Sequence, residues 1–252
     1  MSPLVHSRYP LRFRILSVFS LLFVSPIFGN TPALAEDAGP EQEILDRYVR
    51  ALETQQQEMK GVSMEVDIHA ELPKLKKSGH MSALRFISRI GRITYDAIKF
   101  DGDSTVKKEV IARYLSAETE ANTKSAPPIT PEHYKFKYKG LSDREGKSVY
   151  VFQLTPKKKA AGTFKGELWL DRMTCLPVQE AGRFTKNPSV FVRRFDFIRQ
   201  YNIENGIAVP KKTHGTVETR LWGKAEVEIA YSNFQKTQPG DSGPSSAEGL
   251  KP

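Results

Sequence analysis

Ser148–Thr155 reads SVYVFQLT, Thr163–Leu170 reads TFKGELWL, and Cys175–Phe184 reads CLPVQEAGRF. Each run has strand length, is rich in β-branched and aromatic residues, and ends at turn residues. In the first, Tyr150, Phe152 and Leu154 share one face while Val149 and Val151 share the other. In the second, Phe164, Leu168 and Leu170 fall together. A strand that is apolar on both sides is covered on both sides. One cover is expected to be a helix. The other is a second layer, a loop or a ligand.

The same punctuation continues outward from these runs. Tyr134–Leu141 precedes them, and Ser189–Tyr201, Ala208–Leu221 and Lys224–Gln235 follow, with Gly146, Asn205-Gly206 and Gly223 between elements. Even spacing with turn signals predicts an antiparallel meander. Two of the strands are long enough to require a strongly curved or twisted sheet. Within Ser189–Tyr201, Phe191, Phe195 and Phe197 face one way and Val190, Val192 and Ile198 the other; farther on, Val227, Ile229 and Tyr231 share a face.

Toward the N-terminus, Val62, Met64, Val66 and Ile68 alternate with Ser63, Glu65, Asp67 and His69, as in a strand with one buried face. Pro73 and the stretch Lys74–Gly79 end it. His80–Ile90 and Ile93–Phe100 are further strands, and Asp101-Gly102 is a hairpin signal before Val106–Ser116. That last segment reads as a strand or as a short helix. Glu118–Pro131, with Pro127-Pro128, reads as a long loop and a candidate flap over a cleft. Pro40–Lys60 is a helix with an apolar stripe of Ile44, Leu45, Tyr48, Val49 and Leu52, ended by Gly61.

The chain begins with Arg8, Arg12 and Arg14, an apolar run from Ile15 to Phe28, and Ala33-Leu34-Ala35. This is the pattern of a secretory signal peptide cleaved after Ala35, so a periplasmic or secreted protein is expected. Removing a leader with three arginines and no acid lowers the formal charge of the 252-residue chain from +9 to +6. That balance suits contact with anionic surfaces and argues little for nucleic acid, which export makes an unlikely partner. Residues 36–236 are then one domain, and the Gly/Ser/Pro-rich stretch 237–252 a disordered tail.

Chemistry-bearing motifs are few. Cys175 is the single cysteine, which excludes an internal disulfide. Gly140–Ser148 (GLSDREGKS) ends like a phosphate loop but has one residue too many before its Gly-Lys-Ser, and lies between strands. His69, His80, His133 and His214 have no His or Cys at metal-ligand spacing, and no nucleophile elbow is present. Glu65 with Asp67, and Glu226 with Glu228, are same-face carboxylates expected on a solvated face. Lys74–Lys77 (KLKK) and Lys157–Lys159 lie in inter-strand loops, where lysines discourage strand pairing or meet anionic headgroups. No enzyme, cofactor or metal is indicated.

Glu167-Leu168-Trp169-Leu170-Asp171, then Thr174, then Leu176-Pro177-Val178 form a strand, a turn and a returning strand. Val149-Tyr150-Val151-Phe152-Gln153-Leu154-Thr155-Pro156 stands before them and a long aromatic strand after. This order, with the leader and the N-terminal helix, resembles the periplasmic lipoprotein-carrier superfamily, the LolA/LolB/RseB-like outer-membrane lipoprotein-sorting proteins. The resemblance spans Pro40–Gln235. It implies a mainly β, α+β fold: a strongly curved antiparallel half-barrel closed by helix and loop, binding acyl chains of lipid or lipoprotein in its concavity. The expected function is non-enzymatic lipid binding with a role in lipoprotein sorting. The alternative is an envelope sensor or scaffold that binds a protein partner. The strand pattern nominates Phe152, Leu154, Leu168, Leu170, Phe195, Phe197, Val227 and Ile229 as lining, with basic loops touching the membrane surface transiently.

Overall fold

The computed structural model describes residues 40–123, 126–186 and 192–236. The expected signal peptide 1–35, the tail 237–252 and Phe191 lie outside them. Helix α1 (Pro40–Glu58) leads into β1 (Val62–Leu72), β2 (Lys77–Ile87) and β3 (Ile93–Gly102). A helical segment follows: α2 (Ser104–Val106), a π-helical turn (Lys107–Ile111) and α3 (Ala112–Thr123). The chain then runs through β4 (Tyr134–Arg144), β5 (Lys147–Pro156), β6 (Phe164–Asp171) and β7 (Pro177–Phe184). It ends with β8 (Val192–Glu204), β9 (Ile207–Thr219) and β10 (Lys224–Lys236).

All ten strands join one sheet in the order β3-β2-β1-β10-β9-β8-β7-β6-β5-β4. All nine neighbouring pairs are antiparallel, so most of the sheet is the meander expected from the turn signals. The joint β10–β1 brings the last strand back beside the first, and β3 and β4 remain open edges. Register shifts at Ser63/Glu65, Ser82/Leu84, Tyr138/Gly140 and Gln200/Tyr201 mark bulges, which bend strands this long into a curved half-barrel.

Both helical segments pack on one face of the sheet, the inner face. There Gly166 opposes Gly182 on β6 and β7. A Cβ on Gly166 would stand 1.9 Å from the Ala181 carbonyl oxygen, so glycine is what permits this close approach. The rings of Phe164, Phe184 and Phe197 meet around the pair at centroid distances of 4.8–5.0 Å.

Of the two readings open for Val106–Ser116, the structure has the helical one. Glu118–Thr123, expected to begin a loop, is instead the last part of α3. The sheet is therefore roofed by two helical segments, not by a helix and a loop. The Asp103 carboxylate accepts from the Thr105 N–H at 2.7 Å and caps α2. Val106, Val110 and Ile111 are buried from there on. Strand β2 also begins at Lys77, inside the stretch expected to be a turn, because Met81, Ala83 and Arg85 alternate inward from it.

Candidate functional site

The inner face carries two apolar clusters. The first lies under α2–α3 and is built from β1, β2 and β10: Val62, Met64, Val66, Ile68, Ala70, Leu72, Met81, Val227 and Ile229, closed by Val106, Val110 and Ile111. The second lies under α1 and is built from β4–β8: Tyr134, Phe152, Leu154, Phe164, Leu168, Leu170 and Phe197, closed by Ile44, Leu45 and Tyr48. The eight nominated lining residues therefore divide. Phe152, Leu154, Leu168, Leu170 and Phe197 are buried in the second cluster, with Phe195 packed at its margin. Val227 and Ile229 belong to the first. The second cluster is strongly aromatic: Phe136, Phe152 and Tyr138 stack in sequence, with centroids 5.2–5.9 Å apart.

The two roofs are held differently. Helix α1 is tied at its ends to backbone. Gln55 accepts from the Ala208 N–H at 2.7 Å and donates to its carbonyl at 2.6 Å, Arg47 donates to the Met173 carbonyl at 2.7 Å, and Glu41 accepts from the Tyr138 N–H at 3.2 Å. Helix α3 is held by charge. Arg85, 8% exposed at its side chain, donates to Glu118 at 3.1 Å, and the Tyr95 hydroxyl donates to the same carboxylate. Burial opposes the Arg85 charge, but Glu118 overrides it and holds the guanidinium firmly protonated. Burial, then Glu118, pushes the Tyr95 hydroxyl up. Arg85 Nε has no partner among the described residues, which marks this latch as incompletely satisfied.

A polar belt crosses the inner face beside the latch. Thr213, Arg199 and Glu180 are direct cross-strand neighbours on β9, β8 and β7. Arg199 donates to Glu180 at 3.4 Å and stacks over Phe197, 4.7 Å from the ring centroid. It keeps 38% of its side chain accessible. Tyr201, Tyr114 and Tyr231 stand in the same belt, and burial raises each hydroxyl above the ordinary tyrosine range. Sequence reasoning missed this belt. Its signal was the polar residue at an inward position of three adjacent strands: Glu180, Arg199 and Thr213.

On the outer face, Val149 and Val151 are buried as well. There the Arg144 guanidinium lies 5.2 Å from the Trp169 ring centroid and bonds Gln179, so local side chains supply the second cover of β5. The carboxylates of Glu65, Asp67, Glu226 and Glu228 sit on that face as expected. The registers also bring His214, Glu228, His69 and His80 into one row across β9, β10, β1 and β2. Among the described residues no three His, Cys, Asp or Glu side chains are placed to hold a metal ion. Cys175 is buried in the second cluster, and burial raises its thiol pKa.

No protein-family model matches the chain, and no curated protein matches it. Among solved structures it is similar to a DUF1329 family protein from Desulfovibrio piger, with 15% identity over 80% of this chain and 95% of that one and a TM-score of 0.42. It is similar to a LolA superfamily protein from Nitrosomonas europaea, with 14% identity over 79% and 94% and a TM-score of 0.37. It is also similar to an outer membrane lipoprotein-sorting protein domain, described as putative, from Vibrio parahaemolyticus, with 11% identity over 80% and 94% and a TM-score of 0.40. These likenesses are distant, and the function is argued below from the chain's own residues.

Proposed function

We propose that the protein is an exported, non-enzymatic binder of lipid or of lipoprotein acyl chains, acting in the envelope and taking its ligand on the inner face of the half-barrel. The observation that carries this reading is the roof over the first cluster. It combines the apolar packing of Val106, Val110 and Ile111 with an ion pair, Arg85–Glu118, at the contact. A roof held by apolar packing alone would resist opening throughout. One that also depends on a few polar bonds can lift when they break and expose the apolar floor of the first cluster. Each acyl methylene buried there contributes about 0.8 kcal/mol. The nominated lining then serves in two parts, Val227 and Ile229 under α3 and the other six under α1. The signal-peptide pattern supports a site of action in the periplasm or outside the cell.

The test is native mass spectrometry of the purified protein with lipid extraction, followed by titration with cis-parinaric acid. A stoichiometric lipid, or saturable probe uptake, is expected. A folded protein that carries no lipid and takes up no probe rejects the reading. The second reading, capture of a protein partner, is favoured by the open edges β3 and β4, which offer backbone groups for strand addition.

A further inference from the structure

Antiparallel alternation sends every second turn to the same rim of the sheet. Four turns share one rim: β1–β2, β5–β6, β7–β8 and β9–β10. Two contacts confirm their adjacency. The Thr163 and Thr185 hydroxyls bond at 2.7 Å, joining the β5–β6 and β7–β8 turns. A Cβ on Gly223 would stand 3.4 Å from Lys74 Cδ, which puts the β9–β10 turn against β1–β2.

The described residues of these four turns hold exposed Lys74, Lys76, Lys157–Lys159, Lys186 and Arg220. The end of β3 and the loop before β4 reach the same rim and add three acids, Asp101, Glu132 and Asp103, the last paired with Lys77, so the rim is net basic. Two apolar side chains project among them: Leu221, 65% exposed, and Leu75 between Lys74 and Lys76. The opposite rim is mixed. Glu145 and Glu204 stand beside Arg89, Arg92 and Arg172 there. Lysines that only discourage edge pairing belong on edge strands. These lie at the tips of turns that join eight interior strands, where no strand edge needs protection.

We propose that this basic rim docks the protein on an anionic lipid bilayer, its lysines at the phosphates and Leu221 and Leu75 entering the headgroup layer. Charge complementarity selects the bilayer. A net-basic array spread over four turns matches an extended anionic plane, and cations near such a surface contribute roughly additively. Solvated basic side chains flanking a lone leucine keep their charge in water while the apolar tip leaves it.

The test is co-sedimentation of the purified full chain with vesicles of phosphatidylglycerol and phosphatidylcholine at 1:3, against phosphatidylcholine alone. Expected are binding to the anionic vesicles only, loss of that binding in high salt, and at least a tenfold loss in K157E/K158E/K159E and in K74E/K76E. L221S should lose binding less, and R89E/R92E on the opposite rim should bind as the parent does. Circular dichroism establishes that each variant is folded. No binding to anionic vesicles would overturn the proposal, and retention on polyglutamate in that case would assign the rim to an acidic protein. Equal losses in R89E/R92E and K157E/K158E/K159E would also overturn it, because net charge alone would then suffice.

Discussion

The clusters under α1 and under α2–α3 share one sheet face and differ in how their roofs are secured. Under α1 the contact is aromatic and apolar, with Tyr48, Ile44 and Leu45 buried and the polar ties made by Glu41, Arg47 and Gln55 to backbone outside the cluster. Under α3 a charged pair and a tyrosine hydroxyl sit inside the contact. The first arrangement gains most of its stability from area removed from water and has no single weak point. The second adds to the apolar contact of Val106, Val110 and Ile111 a polar tie that can be removed on its own.

The largest expected effect falls on the α1 side. Phe152 is fully buried and touches Phe136 and Tyr138, so Phe152→Ala should cost about 3–5 kcal/mol through lost transfer energy and a residual cavity. Chemical denaturation of parent and variant measures it. A loss under 1 kcal/mol would mean that the α1 side repacks easily.

Next comes the latch. Arg85→Met leaves Glu118 half-buried without its cation and should cost about 2 kcal/mol, between the ranges for buried and exposed pairs. Replacing both partners, as R85M/E118L, should recover most of that. Hydrogen exchange sharpens the contrast. Glu118→Gln should speed exchange of the α3 amides and leave those of α1 unchanged. If both helices speed up together, the two roofs open as one unit and the contrast between them is lost.

How much of this was legible depends on where the signal lies. The strands from β5 to β10 could be read because alternation and turn residues agree: Phe152 and Leu154 in, Val149 and Val151 out, Asn205-Gly206 at the hairpin. The helical roof was ambiguous because Val106, Val110 and Ile111 pass through a π turn, which breaks the regular helical spacing. The eight nominated residues lie on the inner face in two groups, and no local pattern says which helix covers which strand. The polar belt was missed because Glu180, Arg199 and Thr213 lie far apart in sequence and meet only through register.

A smaller effect is expected at the end of α1. Gln55→Ala removes two hydrogen bonds to Ala208 and should cost about 1–2 kcal/mol. Because the cluster beneath stays intact, α1 should remain docked and only its last turns should exchange faster. Exchange quickening along the whole helix would show that the backbone ties, not the aromatic packing, hold it.

The smallest effect separates the roofs by pH. Asp103 caps the start of the α2–α3 segment and pairs with Lys77 at 3.2 Å. Partial desolvation opposes ionisation, but the bonds from Thr105 and Lys77 hold the carboxyl below its usual range. A group depressed in the folded state stabilises above its unfolded pKa and loses that contribution as pH falls through the folded value. The parent should therefore exceed Asp103→Asn in melting temperature at pH 7, and the gap should narrow as pH falls below about 4. Melts of both proteins at pH 7 and pH 3 measure it. A gap unchanged at pH 3 would mean that the cap works as a neutral hydrogen-bond acceptor, and acid would then give no handle on the α2–α3 roof in preference to α1.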